Sequence, residues 1–439
     1  MKVFIETYGC QMNVNDSEVA LSILQQAGYS RCETMGDADL ILINTCSVRD
    51  NAEQRVLGRL DVFRQEKRRR RGVVVGVMGC MAERLKEKLL ENPAVDIVAG
   101  PDAYRDLPRL VEAVTSSGKQ INTILSHEET YGDIAPVRMD REGVTAFISI
   151  MRGCNNVCSY CIVPFVRGAE RSRDPQSILR EAESLIAAGY KEINLLGQNV
   201  DSYRWVNPET GERVDFAGLL EKVALLDPSI RIRFATSHPK DMSDAVLLAM
   251  SRHANICRHI HLPVQSGSDT MLEKMNRKYT RAHYMERIAR IREILPDCAV
   301  TTDVIAGFCG ETEEDHAATL SLMREVRYDS AFMFQYSERP GTKASRHFPD
   351  DVPADVKTRR LNEIIALQNE ISLACNRRLE GQCFDVLVEC VSKRSDAELM
   401  GRTSQNKSCV FPAAGHKPGD HVTVRVLSST SATLRCEIV

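Results

Sequence analysis

The sequence is short of aromatic residues, which make up 5% of its 439 positions and include a single Trp. Its core must therefore rest on Val, Ile, Leu, Ala and Met. It lacks any apolar run near the roughly 20 residues that span a bilayer. The longest such run, around residues 72–82, has the length of a buried strand. The N-terminal MKVFIETYGC offers only Val3–Ile5 as an apolar stretch and no small-residue cleavage site, so it does not read as a secretory signal, and a cytoplasmic protein is expected. Positive charge is not in excess either. Lys and Arg number 57 against 60 Asp and Glu, a net charge of −3, so no global basic field draws nucleic acid. Contact with RNA would have to come from local patches. There is no internal repeat or low-complexity segment. With 43% hydrophobic and 27% charged residues, the chain is not disordered, collagenous or coiled-coil.

What the chain has in number is cysteine: 15, an odd count. Without a secretory signal, metal ligation or thiol chemistry is a better reading than a disulfide scaffold. The sharpest feature is Cys154-x3-Cys158-x2-Cys161, directly after a strand ending near Ile150. Three thiolates on one tight loop can hold three irons of a [4Fe–4S] cluster and leave the fourth open. Zinc is the alternative, but structural zinc takes four closed ligands, often two CxxC pairs, and no second pair is present. A second trio is spread more widely. Cys10, Cys46 and Cys80 each follow an expected strand of the first domain, 36 and 34 residues apart, about one βα unit each. In a parallel sheet these strand ends share the edge where ligands bind, so the three thiols are expected to converge. The alternative is three ordinary buried cysteines. The other nine cysteines show no ligand spacing and read as structural thiols.

The expected fold class is α/β. Residues 1–118 alternate strand and helix signals (strands Val3–Glu6, Leu40–Ile43 and Val73–Met78; helices Asp16–Ala27, Asp50 to Arg70 and Ala82–Glu91), predicting a small doubly wound parallel sheet. Asn15 or Asp16 is the expected N-cap of the first helix. Residues 119–143 read as a linker. Residues 144–374 carry six strand–helix units, with strands expected at Ala146–Ile150, Glu192–Leu196, Arg231–Thr236, His259–Val264, Val300–Ile305 and Phe332–Tyr336. These suit a partial or full β/α barrel with its chemistry at the C-terminal strand ends, or a six-stranded open sheet. Leu361–Leu379 reads as a helical linker. Residues 375–439 are short β-like runs that fit a small antiparallel barrel.

GCNNVCSYC resembles the cluster loop of the radical S-adenosylmethionine (SAM) superfamily. With TYGCQMNVNDSE, INTCSVRDNAEQ, VVGVMGCMAER and CIVPFVRGAERSR, the chain resembles the radical-SAM methylthiotransferases over essentially its whole length. The resemblance implies a central partial β/α barrel and a C-terminal TRAM-like RNA-binding barrel. It also implies two [4Fe–4S] clusters, on Cys154, Cys158 and Cys161 and, as an auxiliary cluster, on Cys10, Cys46 and Cys80. The Gln-Met-Asn after Cys10 and the SVRDNAEQ after Cys46 are most similar to the branch that acts on N6-isopentenyladenosine in tRNA. The implied reaction places a methylthio group on C2 of N6-isopentenyladenosine at position 37. One SAM gives the methyl and another the 5′-deoxyadenosyl radical, which removes a C2 hydrogen that acid–base groups cannot. An electron donor of flavodoxin or ferredoxin type, an anticodon stem-loop partner and a monomer go with this.

The resemblance also marks SAM contacts. Tyr160 lies within the cluster loop. Gln198 and Asn199 follow a strand where the superfamily more often carries an acid. Ser237 and the Gln265-Ser266-Gly267-Ser268 stretch follow strands at the same edge, and Gly307 lies in the stretch expected to bind adenine. Cys309 stands where the family usually has Pro, which suggests a looser loop and an oxidisable thiol. For each of these, a turn or strand-end residue without ligand contact is the alternative. Arg167, Arg171 and Arg173 are candidates for RNA, with Glu170 as a partner for one of them. Lys67–Arg71 reads as a solvated helix end. Other readings are a methylthiotransferase for threonylcarbamoyl-adenosine or a ribosomal-protein aspartate, a radical-SAM methyltransferase, and an iron–sulfur electron carrier.

Overall fold

A computed structural model describes the chain except residues 47–49, 141 and 142, and the side chains of 50–54. Of the SVRDNAEQ stretch, residues 47–49 therefore lie outside the described residues, and the rest is described by its backbone alone.

The first sheet has six parallel strands, in the order Ser30–Arg31, Lys2–Tyr8, Leu40–Thr45, Val74–Gly79, Ile97–Ala99 and Gln120–Asn122. Side chains alternate across a strand. Leu40 and Leu42 accordingly enter one apolar layer with the helices Gln11–Gln26 and Leu107–Ser117, and Ile41 and Ile43 enter another with the helix Asp50–Arg69. Both faces are covered, which is why the LILI run is continuously apolar. Three strands and the helix Leu107–Ser117 were not expected. Gln120–Asn122 extends the sheet into the stretch read as a linker. The chain beyond it returns along the same core through Tyr131 and Ile134. The first helix begins at Gln11 with Cys10 as its cap, not at Asn15 or Asp16. Asn15 instead donates to the Phe147 carbonyl (3.3 Å), and Asp16 is buried in ion pairs.

Six more parallel strands form the central unit as two groups of three. These are Thr145–Ser149, Glu192–Leu196 and Arg231–Ala235, then His259–His261, Ala299–Ala306 and Ser330–Gln335, joined through an Ile232–Ile256 bridge. Interleaved helices complete a partial β/α barrel around the largest apolar core. The helix Gln11–Gln26 lies against its first strand. The helix Ala354–Arg377, expected as a linker, lies along its last: Gln368 donates to the Tyr328 carbonyl and Ser372 to that of Asp329, each at 2.9 Å. Five strands (Cys383–Ser392, Ser395–Thr403, Ser408–Pro412, Leu434–Ile438 and His421–Ser429) then close a small barrel.

That barrel docks on the starts of the central strands. Arg231 donates to the carbonyls of Arg402 (2.6 Å) and Asp385 (2.9 Å), and Arg233 to those of Thr403 (2.7 Å) and Ser404 (3.0 Å). A cavity of about 400 Å³ lies in this junction, lined among others by Arg231, Asn255, Asp385 and His421. It is at the end of the barrel opposite the cysteine loop.

Candidate functional site

The cysteine loop leaves the top of the first central strand. Gly153 turns it at φ +77°, and a Cβ there would run into the Ala169 carbonyl. The Cys154 N–H donates to the Gly168 carbonyl (3.1 Å), and Cys161 N–H to that of Cys158 (3.0 Å). The segment after the helix Asp269–Lys274 holds the loop from the other side. Asn276 donates to the Val157 carbonyl (2.9 Å), and Arg277 Nη1 donates to Cys158 Sγ (3.2 Å) while Nη2 donates to the Pro263 carbonyl (2.9 Å). Burial pushes the Cys154 thiol up to about 11 and Cys161 up to about 12. Thiols so placed ionise only beside a strong cationic centre, the setting a metal provides.

The second trio sits on the edge of the first sheet. Tyr8 pairs with Thr45 and Thr45 with Gly79, so the strand ends that precede Cys10, Cys46 and Cys80 lie side by side. A hydrogen bond from Cys46 brings the Cys10 thiol down to about 6 against the opposing effect of burial, with Arg167 adding to the fall. Cys10 Sγ also donates to Asn13 Oδ1 (3.2 Å), and Asn13 is tied to Asn44 by two bonds of 2.9 Å. A Cβ on Gly9 would stand 2.6 Å from the Cys46 Cβ, so only glycine fits there. Among the described residues no three His, Cys, Asp or Glu side chains are gathered closely enough to hold one metal ion. A cluster spreads its thiolates over several metal atoms, so its ligands stand further apart than those of a single ion.

The segment that follows Cys161 packs on Cys80 of the second trio. Cys80 shares a small apolar contact with Ile162 and Val166, which follow Cys161 directly. The short helix Val163–Arg167 lies in this segment and ends on Arg167, whose Nε donates to Cys80 Sγ (3.2 Å).

This corrects the RNA assignment. Arg167, Arg171 and Arg173 are buried and committed internally: Arg167 to Asp16 (2.7 Å), Arg171 to Asp102 (2.8 Å), Arg173 to Glu181 and to Ser177 Oγ (2.8 Å). Buried, they present no solvent-exposed face to the phosphates of an RNA. Glu170 pairs with none of them and accepts from the Asn155 N–H at 3.0 Å.

The marked SAM residues divide. Gln198 and Asn199 follow the second strand of the barrel and Ser237 the third. Gln198 Oε1, Asn199 Oδ1 and His238 Nε2 are buried there without partners. Such atoms are costly unless a polar ligand satisfies them. Beside them, burial holds the Asp201 carboxyl up near 7 and, aided by Arg277 and Lys240, holds His238 down near 2 as the neutral ring. Tyr160 meets Phe308 edge to face at 6.3 Å. Gln265 sits at φ +71° and bridges to Val304 through its backbone. The Gly307 N–H is already taken by Glu311 (2.7 Å), and Ser268 caps the helix Asp269–Lys274. Cys309 is buried in a small core with Met271, Phe308 and Tyr336, so its loop is packed and its thiol shielded, contrary to expectation. Arg277, Asp201, His238 and the Asn13–Asn44 pair were missed. Only the asparagines had a signal, as neighbours of cysteines in QMN and NTC.

Three family descriptions match the chain: Uncharacterized protein family UPF0004 over residues 2–100, the Radical SAM superfamily over 148–323, and the TRAM domain over 377–439. A tRNA-2-methylthio-N(6)-dimethylallyladenosine synthase of Bacteroides thetaiotaomicron is 58% identical over 438 residues, covering 100% of this chain and 96% of the relative. The synthase of the same name from Phocaeicola vulgatus is 58% identical over 439 residues, with the same coverage, and that of Porphyromonas gingivalis strain W83 is 55% identical over 441 residues, 100% and 95% of the two chains. Among solved structures, the radical SAM methyltransferase TsrM of Kitasatospora setae aligns with TM-score 0.57 at 16% identity, over 76% of this chain and 72% of that one. The cobalamin-dependent SAM radical enzyme OxsB aligns at 0.54 and 11%, over 84% and 56%. At these identities the likeness is one of fold.

Proposed function

Because this chain belongs to the family of tRNA-2-methylthio-N(6)-dimethylallyladenosine synthases, the MiaB-type radical-SAM methylthiotransferases, we propose that it places a methylthio group on C2 of N6-isopentenyladenosine at position 37 of tRNA. The observation that carries this reading is full-length identity of 58% to such a synthase. The contact of Cys80 with the helix that follows Cys161, across two units that sequence separates, agrees with it.

In this reading Cys154, Cys158 and Cys161 hold the radical-SAM [4Fe–4S] cluster, and Cys10, Cys46 and Cys80 hold an auxiliary one. Bound together, the radical-SAM cluster and SAM supply a carbon radical able to take a hydrogen that no base can remove. The residues of the chain position and shield. Arg277 fixes Cys158 and compensates its charge. Tyr160, edge to face with Phe308, forms an apolar wall beside the loop. Gln198, Asn199 and His238 offer unpartnered polar atoms at the strand ends, where the polar portion of SAM would satisfy them. Asn13 and Asn44 set the Cys10 rotamer on the opposite side. The chain works as a monomer and draws electrons from a flavodoxin- or ferredoxin-type donor. A cytoplasmic setting goes with a tRNA substrate, and among the described residues no helix is long and apolar enough to cross a membrane.

The test uses anaerobically reconstituted protein with SAM and a reductant. It is offered an anticodon stem-loop with and without the isopentenyl group, and nucleosides are read by mass spectrometry. A product heavier by CH2S from the isopentenylated RNA alone is expected. Deoxyadenosine without an RNA product would move the substrate to threonylcarbamoyl-adenosine or a ribosomal protein.

A further inference from the structure

Three guanidinium groups and two carboxylates meet in the buried contact between the first sheet and the central barrel. Asp16 accepts from Arg152 and Arg167, each at 2.7 Å. Asp102 accepts from Arg171 at 2.8 Å and lies 3.5 Å from Arg152 Nε. All five side chains are at most 4% exposed. The other polar side chains packed here, Tyr104 and Tyr131, stay neutral, since burial drives both phenols upward. The next carboxylate, Glu83, is matched by Lys86 (3.2 Å). Among the described residues, three positive charges against two negative leave one positive charge over. A buried unmatched charge is strongly unfavourable, so the network is complete only beside an anion.

The place for that anion is the Cys10/Cys46/Cys80 trio. Arg167 Nε already donates to Cys80 Sγ, and its Nη1 is buried without a partner.

We propose that Arg167 is a positioning residue for an anionic metal–thiolate centre on Cys10, Cys46 and Cys80. Its guanidinium compensates the charge of that centre, with Nε on the Cys80 sulfur and Nη1 left for an inorganic or transferable sulfur. The inference rests on the auxiliary-cluster reading above and adds the residue that makes it affordable inside the protein. Arg167 ends the helix that begins two residues after Cys161, so the same side chain ties the two trios together.

The test uses the full chain with Cys154, Cys158 and Cys161 replaced by Ala, so that any cluster assembled belongs to the other trio. Its midpoint potential is followed by electron paramagnetic resonance. Arg167→Gln removes a positive charge and should shift the potential negative. Asp16→Asn removes a negative charge from the same network and should shift it positive. Opposite shifts are the expected result, since a purely structural role would not reverse sign between the two. Unchanged potentials, or shifts of the same sign, overturn the role of Arg167. If Arg167→Gln assembles no cluster, the sign from Asp16→Asn decides alone. Absence of iron from the parent with Arg167 and Asp16 intact overturns the auxiliary cluster itself, a separate outcome.

Discussion

Asp201 carries an acid–base signature of its own. Burial holds its carboxyl near 7, so the folded protein retains a proton that the unfolded chain has released. Folding is therefore penalised progressively as pH rises from about 4 to about 7. Asp201→Asn should remove the penalty, leaving stability little changed near pH 4 and raising it by on the order of 4 kcal/mol at pH 8, from about three pKa units at about 1.4 kcal/mol each. Denaturant unfolding at the two pH values checks this, and an equal gain at both would assign the effect to packing. The cysteines divide by role at the same scale. Cys158→Ala should abolish deoxyadenosine formation, whereas Cys80→Ala should abolish methylthio product and spare SAM cleavage. Product and deoxyadenosine quantified in one reaction separate the two. Methylthio product retained by Cys80→Ala would remove that residue from the chemistry.

At the scale of elements, the loop around the first cysteine trio depends on a turn that a side chain cannot make. Gly153→Ala adds a Cβ against the Ala169 carbonyl at positive φ. Iron bound by the Cys154 trio should fall sharply while iron bound by the Cys10 trio persists, measurable by iron counting in single-trio backgrounds. The helix Ala354–Arg377 is a structural member of the barrel. Ile364, 1% exposed and part of the central core, should cost ~2–5 kcal/mol on replacement by Ala, read by denaturant midpoint. What could be read from sequence follows from the size of each signal. The six central strands were legible as short β-prone runs set between helical stretches. Glu192–Leu196 was placed to the residue. Ser30–Arg31, Ile97–Ala99 and Gln120–Asn122 were missed because two or three residues carry no period. The Cys154 loop stood out by its spacing alone, and strand order placed the strand ends before Cys10, Cys46 and Cys80 side by side. Arg277, Asp201 and His238 were not, because only tertiary folding brings them to the site. The arginines after the loop misled for a related reason: a run of cations reads as surface until Asp16, Asp102 and Glu181, distant in sequence, are seen to meet it.

At the scale of the whole molecule, the closed β-barrel and the cysteine loop occupy opposite ends of the central strands. The eight-residue strand Ala299–Ala306 separates the two ends by roughly 25 Å. The barrel hairpin presents Lys393 and Arg394, and a neighbouring loop presents Lys417, all exposed. Reversing these charges should weaken binding of whole tRNA, with a flatter dependence of affinity on salt by about one unit per lost phosphate contact. Filter binding over a salt series checks this, and SAM cleavage should be unaffected. The separation acts as a ruler. A hairpin shorter than this separation cannot reach from one end to the other, so it should react equally well with the parent and the charge-reversed protein, while the whole tRNA should lose its advantage over the hairpin. Length of RNA, and not only the identity of the modified base, then becomes something this enzyme measures.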